Sequence, residues 1–589
     1  MTTHEQALGL APGGGLGPAP NVLLIVPPNI TFEAFAAPGK NSKSWRHANG
    51  HDYGVLITDV PLGVLTISAY LKREFGCAVK VIDFNTEIHK TWNHPDSRDF
   101  APWFTEVLAR VKAEGFTPDL VGFSSLFITG YENVLMLARL ARQTFPSAFV
   151  IGGGNVATTM YREIFEDAPE AFDALCYGEG ELPLKELLSA ADPRRYCEAS
   201  NHWVTRGNLQ SSGIYTHHFI DRLDDVPYLD YDCIDLQDYH YSPTIKAYTN
   251  IADKTNYITY MGSRGCPFLC TFCAAHAVHG RKVRAFSVER IEAELTALKT
   301  RLGASTLVIE DDMFLWDVDW AKAVLRIAQR LDLNCFFPNA LALYALDWDM
   351  LVELHKTGVR QLTLAVESGS ARVLKELMRK PLKLSITERV VTDCRKLGIY
   401  TDCNIIIGMP GETREDIEDT RRFLRNLGAS WYRINVATPL SGSEMYLDAR
   451  AKGQIKGDIR LAGYKKCVVE TEHFTPQEIE NIAYDINLES NFLNNIDVRL
   501  GHFQHAIEIF SNVLLLRDDH ALAMYMIAYC LQRLGQQAQA QQRLDELARV
   551  LERSSFWTGF FADKGLCADG QVSFTYLEQL PAAAQLTPA

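Results

Sequence analysis

Short, wholly apolar runs alternate with amphipathic stretches over most of this chain, and the alternation starts twice. Asn21–Val26 is the first such run, and comparable ones recur at Ala78–Ile82, Leu120–Phe123 and Phe149–Ile151 with helix-period segments between them. Strands that are apolar on both faces and separated by helices predict a doubly wound parallel sheet, an α/β architecture. The pattern then begins again. Apolar strands are predicted at Tyr257–Met261, Thr306–Ile309, Cys335–Phe337, Gln361–Val366, Cys403–Ile407 and Tyr432–Val436. Six β/α units close, wholly or in part, into a barrel whose reactive groups lie at the carboxyl ends of the strands.

The flanks read differently. Residues 1–18 are rich in Gly, Pro and Ala, bury too little to order, and are expected to be a disordered tail. The first sheet is expected over 19–200, a linker without sustained period over 201–245, the barrel over 246–450, and helices over 451–589. Within those helices Gly501–Phe510 and Gly535–Leu544 superpose at a spacing of 34, the period of tetratricopeptide helices. Fewer than three such repeats rarely stand alone, so this TPR-like region is expected to dock on the barrel, with contact to a partner protein as the alternative.

Polar and small residues cluster where strands end. In the first half these are Ser124 and Ser125, then Gly152, Gly153 and Gly154, then Gly178, Glu179 and Gly180, with Pro61, Leu62 and Gly63 opening a helix. In the second they are Glu310, Asp311 and Asp312, then Glu367 and Ser368, then Gly408–Glu412, then Thr438–Gly442. Each alone reads as a turn or cap; together they outline two rims.

Three cysteines, Cys266, Cys270 and Cys273, follow the first barrel strand and a Gly262–Gly265 turn. A zinc knuckle brings two ligand pairs a dozen or more residues apart, and a disulfide framework wants an even count in a small secreted chain. Neither pattern is present. Three thiolates so close together suit an iron-sulfur cluster with one iron left open for chemistry.

The cysteine run, with aromatic Phe272 before its third member, resembles the cluster loop of the radical S-adenosylmethionine (SAM) enzymes. That resemblance implies that Cys266, Cys270 and Cys273 hold a [4Fe-4S] cluster, that SAM chelates the open iron, and that Phe272 packs near its adenine. It also implies that Glu310, Asp311 and Asp312 contact the methionine end of SAM and Glu367 or Ser368 its ribose or amino group. The preceding sheet resembles the Rossmann-like cobalamin-binding domain of the cobalamin-dependent subgroup, at Leu62, Gly63, Ser124, Ser125, Gly152–Gly154 and Gly178–Gly180. The motif that supplies a histidine to cobalt in other cobalamin proteins is missing. Its nearest counterpart is Asn49–Gly54, where His51 is either a lower axial ligand or a solvated loop residue.

Composition narrows the setting. Thirteen scattered cysteines fit a reducing compartment, and no apolar stretch of membrane-spanning length or signal peptide is seen, so a cytoplasmic enzyme is expected. A net charge of -14 argues against nucleic acid as a partner. The resemblance implies a methyltransferase acting on an unactivated carbon of a small-molecule or peptide substrate, through a 5′-deoxyadenosyl radical and methylcobalamin. It would draw electrons from a flavodoxin- or ferredoxin-type donor. Cyclisation, ring contraction or oxidation without methyl transfer is the alternative, and a non-catalytic iron-sulfur sensor is a third reading.

Overall fold

The computed structural model describes residues 19–38, 44–211, 214–239, 256–568 and 571–580. The tail expected at 1–18, and residues 240–255 where linker gives way to barrel, lie outside the described residues.

The first sheet holds six strands: β1 (Asn21–Val26), β2 (Ala78–Asp83), β3 (Leu120–Ser124), β4 (Phe149–Gly153), β5 (Ala174–Cys176) and β6 (Trp203–Val204), in the order β2-β1-β3-β4-β5-β6. All pairs are parallel except β5 with β6. Alternate residues of β1 serve two cores: Leu23 and Ile25 pack on one side, Val22 and Leu24 on the other. Helices cover both faces, which is why the strand reads as an unbroken apolar run. Strand order reverses between β1 and β3, so the crevice of this sheet opens beyond Val26 and Ser124. Helix α1 (Leu62–Phe75) and helix α2 (Glu181–Ser189) follow the rim loops.

The second half forms β7 (Tyr257–Tyr260), β8 (Thr306–Ile309), β9 (Asn334–Phe336), β10 (Gln361–Glu367), β11 (Tyr400–Ile407) and β12 (Trp431–Val436). They run in parallel as β9-β8-β7 and β10-β11-β12, and a parallel bridge between Leu341 and Leu364 joins the two groups. Among the described residues β7 and β12 form no ladder, so the barrel is partial.

The segment expected as a linker is instead pinned on both sides. Ile220, Leu223, Val226, Tyr231 and Tyr239 enter the barrel core. The Tyr231 hydroxyl donates to the Thr259 carbonyl at 2.6 Å, and the Tyr239 hydroxyl to Asp83 at 3.0 Å on the first sheet. Single aromatic residues anchor this strap one at a time, and that arrangement leaves no periodic signature.

Beyond the barrel, α3 (Pro476–Leu488) is followed by α4 (Phe503–Leu516), α5 (Ala521–Arg533), α6 (Gln537–Arg553) and α7 (Ser555–Asp563). Equivalent Ala506 and Ala540 are both buried, and every residue of α5 from Ala521 to Leu531 is buried. The unit docks on the barrel, as expected from two repeats. Glu489 takes Arg421 at 2.9 Å and also pairs with Arg425, while Asn491 bonds both the amide and the carbonyl of Tyr432 in β12 at 2.8 Å each. No described helix is long and apolar enough to cross a membrane.

Candidate functional site

The cluster loop leaves the carboxyl end of β7 and is closed by a two-residue antiparallel ribbon, Ser263–Arg264 against Arg284–Ala285. Gly265 takes φ +95, and a Cβ there would sit 2.6 Å from the Lys282 carbonyl oxygen. Only glycine lets the chain turn so tightly into Cys266. Cys266, Cys270 and Cys273 are half-buried free thiols whose charges act on one another. Burial pushes the Cys270 thiol up to about 11, partly opposed by the Lys380 charge. Such thiols bind as thiolates only when a cation displaces the proton, which fits metal ligands.

The loop is also clamped from the far wall. Thr271 donates its hydroxyl to the Leu377 carbonyl at 2.7 Å and its amide to Met378 at 3.1 Å. Phe272 lies partly buried against Val373, Leu374, Met378, Met409, Ala437 and Met445. Its ring therefore borders the apolar wall formed at the ends of β11 and β12.

The acidic segment after β8 turns toward the cluster loop. Asp311 accepts from the Gly262 amide at 2.9 Å and the Ser263 hydroxyl at 2.6 Å, and Asp312 accepts from the Gly265 amide at 3.0 Å. Both carboxylates hold the cluster loop in shape. Glu310 accepts from Asn339 at 3.2 Å, and burial, then the charges of Asp59 and Asp311, push its carboxyl up to about 8. Asp59 belongs to the loop before α1, so the first sheet's rim reaches the barrel mouth.

Glu367 ends β10 at φ +68, buried, with Lys380 3.6 Å away. A bulky residue in that backbone region signals a held, strained position. Ser368 is different again: its hydroxyl lies 3.3 Å from Thr420 and accepts from the Ser370 amide at 3.1 Å, so it braces the turn internally. Lys380, whose charge reaches all three cysteines, was not among the sequence-derived candidates. In the sequence it stands between Arg379 and Pro381, and nothing local distinguishes it.

On the cobalamin side Ser124 and Gly153 end paired strands, the Ser125 amide donates to the Gly153 carbonyl, and the Val156 amide donates to the Ser125 carbonyl at 3.1 Å. Gly154 takes φ +86, and a Cβ there would lie 2.7 Å from the Ser125 oxygen. The side-chain oxygen of Asn155 in this loop is buried without a hydrogen-bond partner. A bare backbone cradle with one orphaned acceptor fits a flat ligand fringed with amides, as a corrin is. Leu62 and Gly63 open α1 beside the same crevice. His51 stands exposed on the hairpin of Ser44–Arg46 and Asp52–Gly54, with its ring 6.2 Å from Tyr53.

Glu179 is not on the rim. It is buried and accepts from Arg264 at 3.0 Å, from Arg284 at 2.5 and 3.0 Å, and lies 2.9 Å from His279. Arg264 also reaches Glu181 at 2.7 Å. Burial alone would raise the Glu179 carboxyl, but the Arg264 charge and the bonds from His279 and Arg284 outweigh it and hold the group far below the usual range. Gly178, at φ +90, lets the chain pass His217, and Gly180 leads into α2. This segment therefore joins the first sheet to the cluster loop. Nearby, Ser441 after β12 donates to the Thr159 carbonyl at 3.3 Å, so the barrel's strand ends touch the first sheet's side here.

The radical SAM superfamily model matches residues 260–424, and the B12 binding domain model matches 59–188. The chain thus carries a B12 binding domain ahead of a radical SAM domain, the pairing of a cobalamin-dependent radical SAM enzyme. Its cofactors are a [4Fe-4S] cluster, SAM and cobalamin. It is 27% identical to a cytidylyl-2-hydroxyethylphosphonate methyltransferase of Streptomyces wedmorensis, over 73% of this chain and 86% of that one. It is 22% identical to an anaerobic magnesium-protoporphyrin IX monomethyl ester cyclase of Cereibacter sphaeroides, over 58% of this chain and 55% of that one. Among solved structures, the radical SAM methyltransferase TsrM of Kitasatospora setae, bound to tryptophan and a SAM analogue, shares the fold. The TM-score is 0.53 at 17% identity, covering 79% of this chain and 83% of that one.

Proposed function

We propose that this enzyme methylates an unactivated carbon of a natural-product or peptide intermediate. The observation that carries the reading is the apposition of the two halves: the Ser441 hydroxyl after β12 meets the Thr159 carbonyl, and the Asp59 charge before α1 acts on Glu310 at the end of β8. When bound, the cofactors supply a hydrogen-abstracting radical and a transferable methyl group, chemistry no side chain offers. Cys266, Cys270 and Cys273 hold the cluster, and the ribbon with Asp311 and Asp312 fixes their loop. Lys380 and Glu367, opposite charges beside the thiols, suit the carboxylate and amino groups of SAM. Phe272 and its methionine-lined wall exclude water beside the adenine. Ser124, Ser125 and Gly152–Gly154 carry the corrin, and Glu179 sets how the two rims meet. A one-electron donor of flavodoxin or ferredoxin type and a small-molecule or peptide substrate complete the system.

The relative named as a phosphonate methyltransferase supports methyl transfer. The cyclase relative keeps a second outcome in view. Anaerobically reconstituted enzyme, given SAM, reductant and a candidate substrate, is expected to form 5′-deoxyadenosine and a product heavier by one CH2. Loss of hydrogen or gain of oxygen with no added carbon would replace methylation by the cyclase type of reaction, and absence of 5′-deoxyadenosine would remove the radical step.

A further inference from the structure

We propose that Glu186, His202 and His218 bind a divalent transition ion of the zinc type, outside the cofactor crevice. The three residues come from separate segments: Glu186 from α2, His202 from just before β6, and His218 from the strap leading to Ile220. Their ligand atoms all lie within 4.8 Å of one another.

The details favour a metal over an ion pair. Glu186 Oε1 and His218 Nδ1 are 3.4 Å apart, long for a charge-assisted hydrogen bond of about 2.7–2.9 Å. A tetrahedral ion with bonds of about 2.0–2.1 Å would separate its ligands by about 3.3 Å. His218 Nδ1 is buried with no hydrogen-bond partner. The outer contacts are those that metal ligands use: His202 Nδ1 faces the Thr216 carbonyl at 2.8 Å, which leaves Nε2 as the free lone pair, and the Tyr196 hydroxyl donates to Glu186 Oε2, which leaves Oε1. The two imidazoles lie against each other, with centroids 4.6 Å apart and 29° between planes. Two imidazole nitrogens and one carboxylate suit zinc and its neighbours, whereas magnesium and calcium want oxygen alone.

The position gives the ion a task. His217, next to His218, meets the Ala277 carbonyl at 2.8 Å behind the cluster loop, and Phe219 lies under the Arg284 guanidinium at 4.2 Å. An ion at His218 would tether this strap to α2 and to the edge of the first sheet. It would brace the cluster loop from outside.

The test uses holoenzyme whose cluster and cobalamin are already loaded, so that Cys266, Cys270 and Cys273 are committed. After equilibrium dialysis against buffered zinc, elemental analysis is expected to find one zinc per chain with iron and corrin unchanged, and none in the His202→Ala/His218→Ala double variant. Tyr196→Phe, which keeps the ring and removes the outer contact, should weaken zinc binding about tenfold or more. As a check independent of the double variant's folding, zinc should raise the unfolding temperature of wild-type holoenzyme and not that of Glu186→Gln. Equal zinc in wild type and double variant, zinc gained only at the expense of iron, or no zinc-dependent shift in wild type would each overturn the proposal.

Discussion

Replacing Glu179 by glutamine changes one charge at the joint between the two cofactor rims and leaves its shape intact. In the native chain the carboxylate faces two buried guanidiniums and a partly exposed imidazole. After the change Arg264 still has Glu181 at 2.7 Å, but Arg284 keeps no carboxylate, only the Ile220 carbonyl at 3.0 Å, the His279 carbonyl at 3.3 Å and the face of Phe219 at 4.2 Å. Removing one partner of a buried pair costs about 3–5 kcal/mol, and the retained Glu181 contact places this case at about 3 kcal/mol. At about 1.4 kcal/mol per tenfold, the native apposition of the rims should lose roughly 100-fold in population against open forms. Hydrogen exchange should therefore accelerate in peptides covering 177–189 and 264–285, while the barrel strands stay protected. Turnover should uncouple, with 5′-deoxyadenosine still formed but the ratio of methylated product to 5′-deoxyadenosine falling at least tenfold. Glu181→Gln, which leaves Glu179 to hold both arginines, should show a much smaller effect. Unchanged exchange and an unchanged ratio in Glu179→Gln would refute the claim that this carboxylate sets the geometry.

Three further outcomes follow from other sites. Gly154→Ala forces a side chain into a left-handed position 2.7 Å from the Ser125 oxygen, so corrin retained through gel filtration should drop several-fold while iron per chain stays constant. Lys380→Met should raise the KM for SAM about tenfold, as one charge-assisted bond worth about 1.5–3 kcal/mol is lost, with the cluster's visible absorption preserved. His520 is buried beneath Phe492 and accepts from the Ala523 amide at 3.1 Å; burial, then the Arg517 charge, lowers its pKa from 6.5 to about 4. Because the folded pKa lies below the unfolded one, this contribution is present above pH 6.5 and is lost as pH falls toward 4, by at most about 3 kcal/mol. His520→Asn keeps an acceptor at the cap, so its thermal stability should vary less with pH over that window.

Much of the scaffold was legible because burial on two faces writes itself into composition. Asn21–Val26 and Thr306–Ile309 form strands with the bounds that their apolar runs predict, and the cysteine spacing marks the cluster loop without help from context. What could not be read depends on contacts between distant segments. Glu179 meets Arg264 and Arg284 across 85 and 105 residues, so a Gly-Glu-Gly loop that looks like rim becomes a joint. Asp311 and Asp312 look like ligand contacts because they end a barrel strand, yet backbone amides 47–49 residues earlier claim them. Lys380 gains meaning only because a turn returns it to the thiols. The strap lacks periodicity since its aromatics fill separate pockets.

Among the described residues β12 has a strand partner on one side only, and Asn491 stands in on the other. By bonding both polar groups of Tyr432 with one side-chain amide, it occupies part of the rim of an unclosed cylinder, where β12 would otherwise offer a template to any passing extended chain. Asn491 sits just beyond α3, so the carboxyl-terminal unit shields against sheet extension between molecules as well as filling space. Shortening the protein before that asparagine would leave the six-stranded core intact on paper and prone to self-association in a tube.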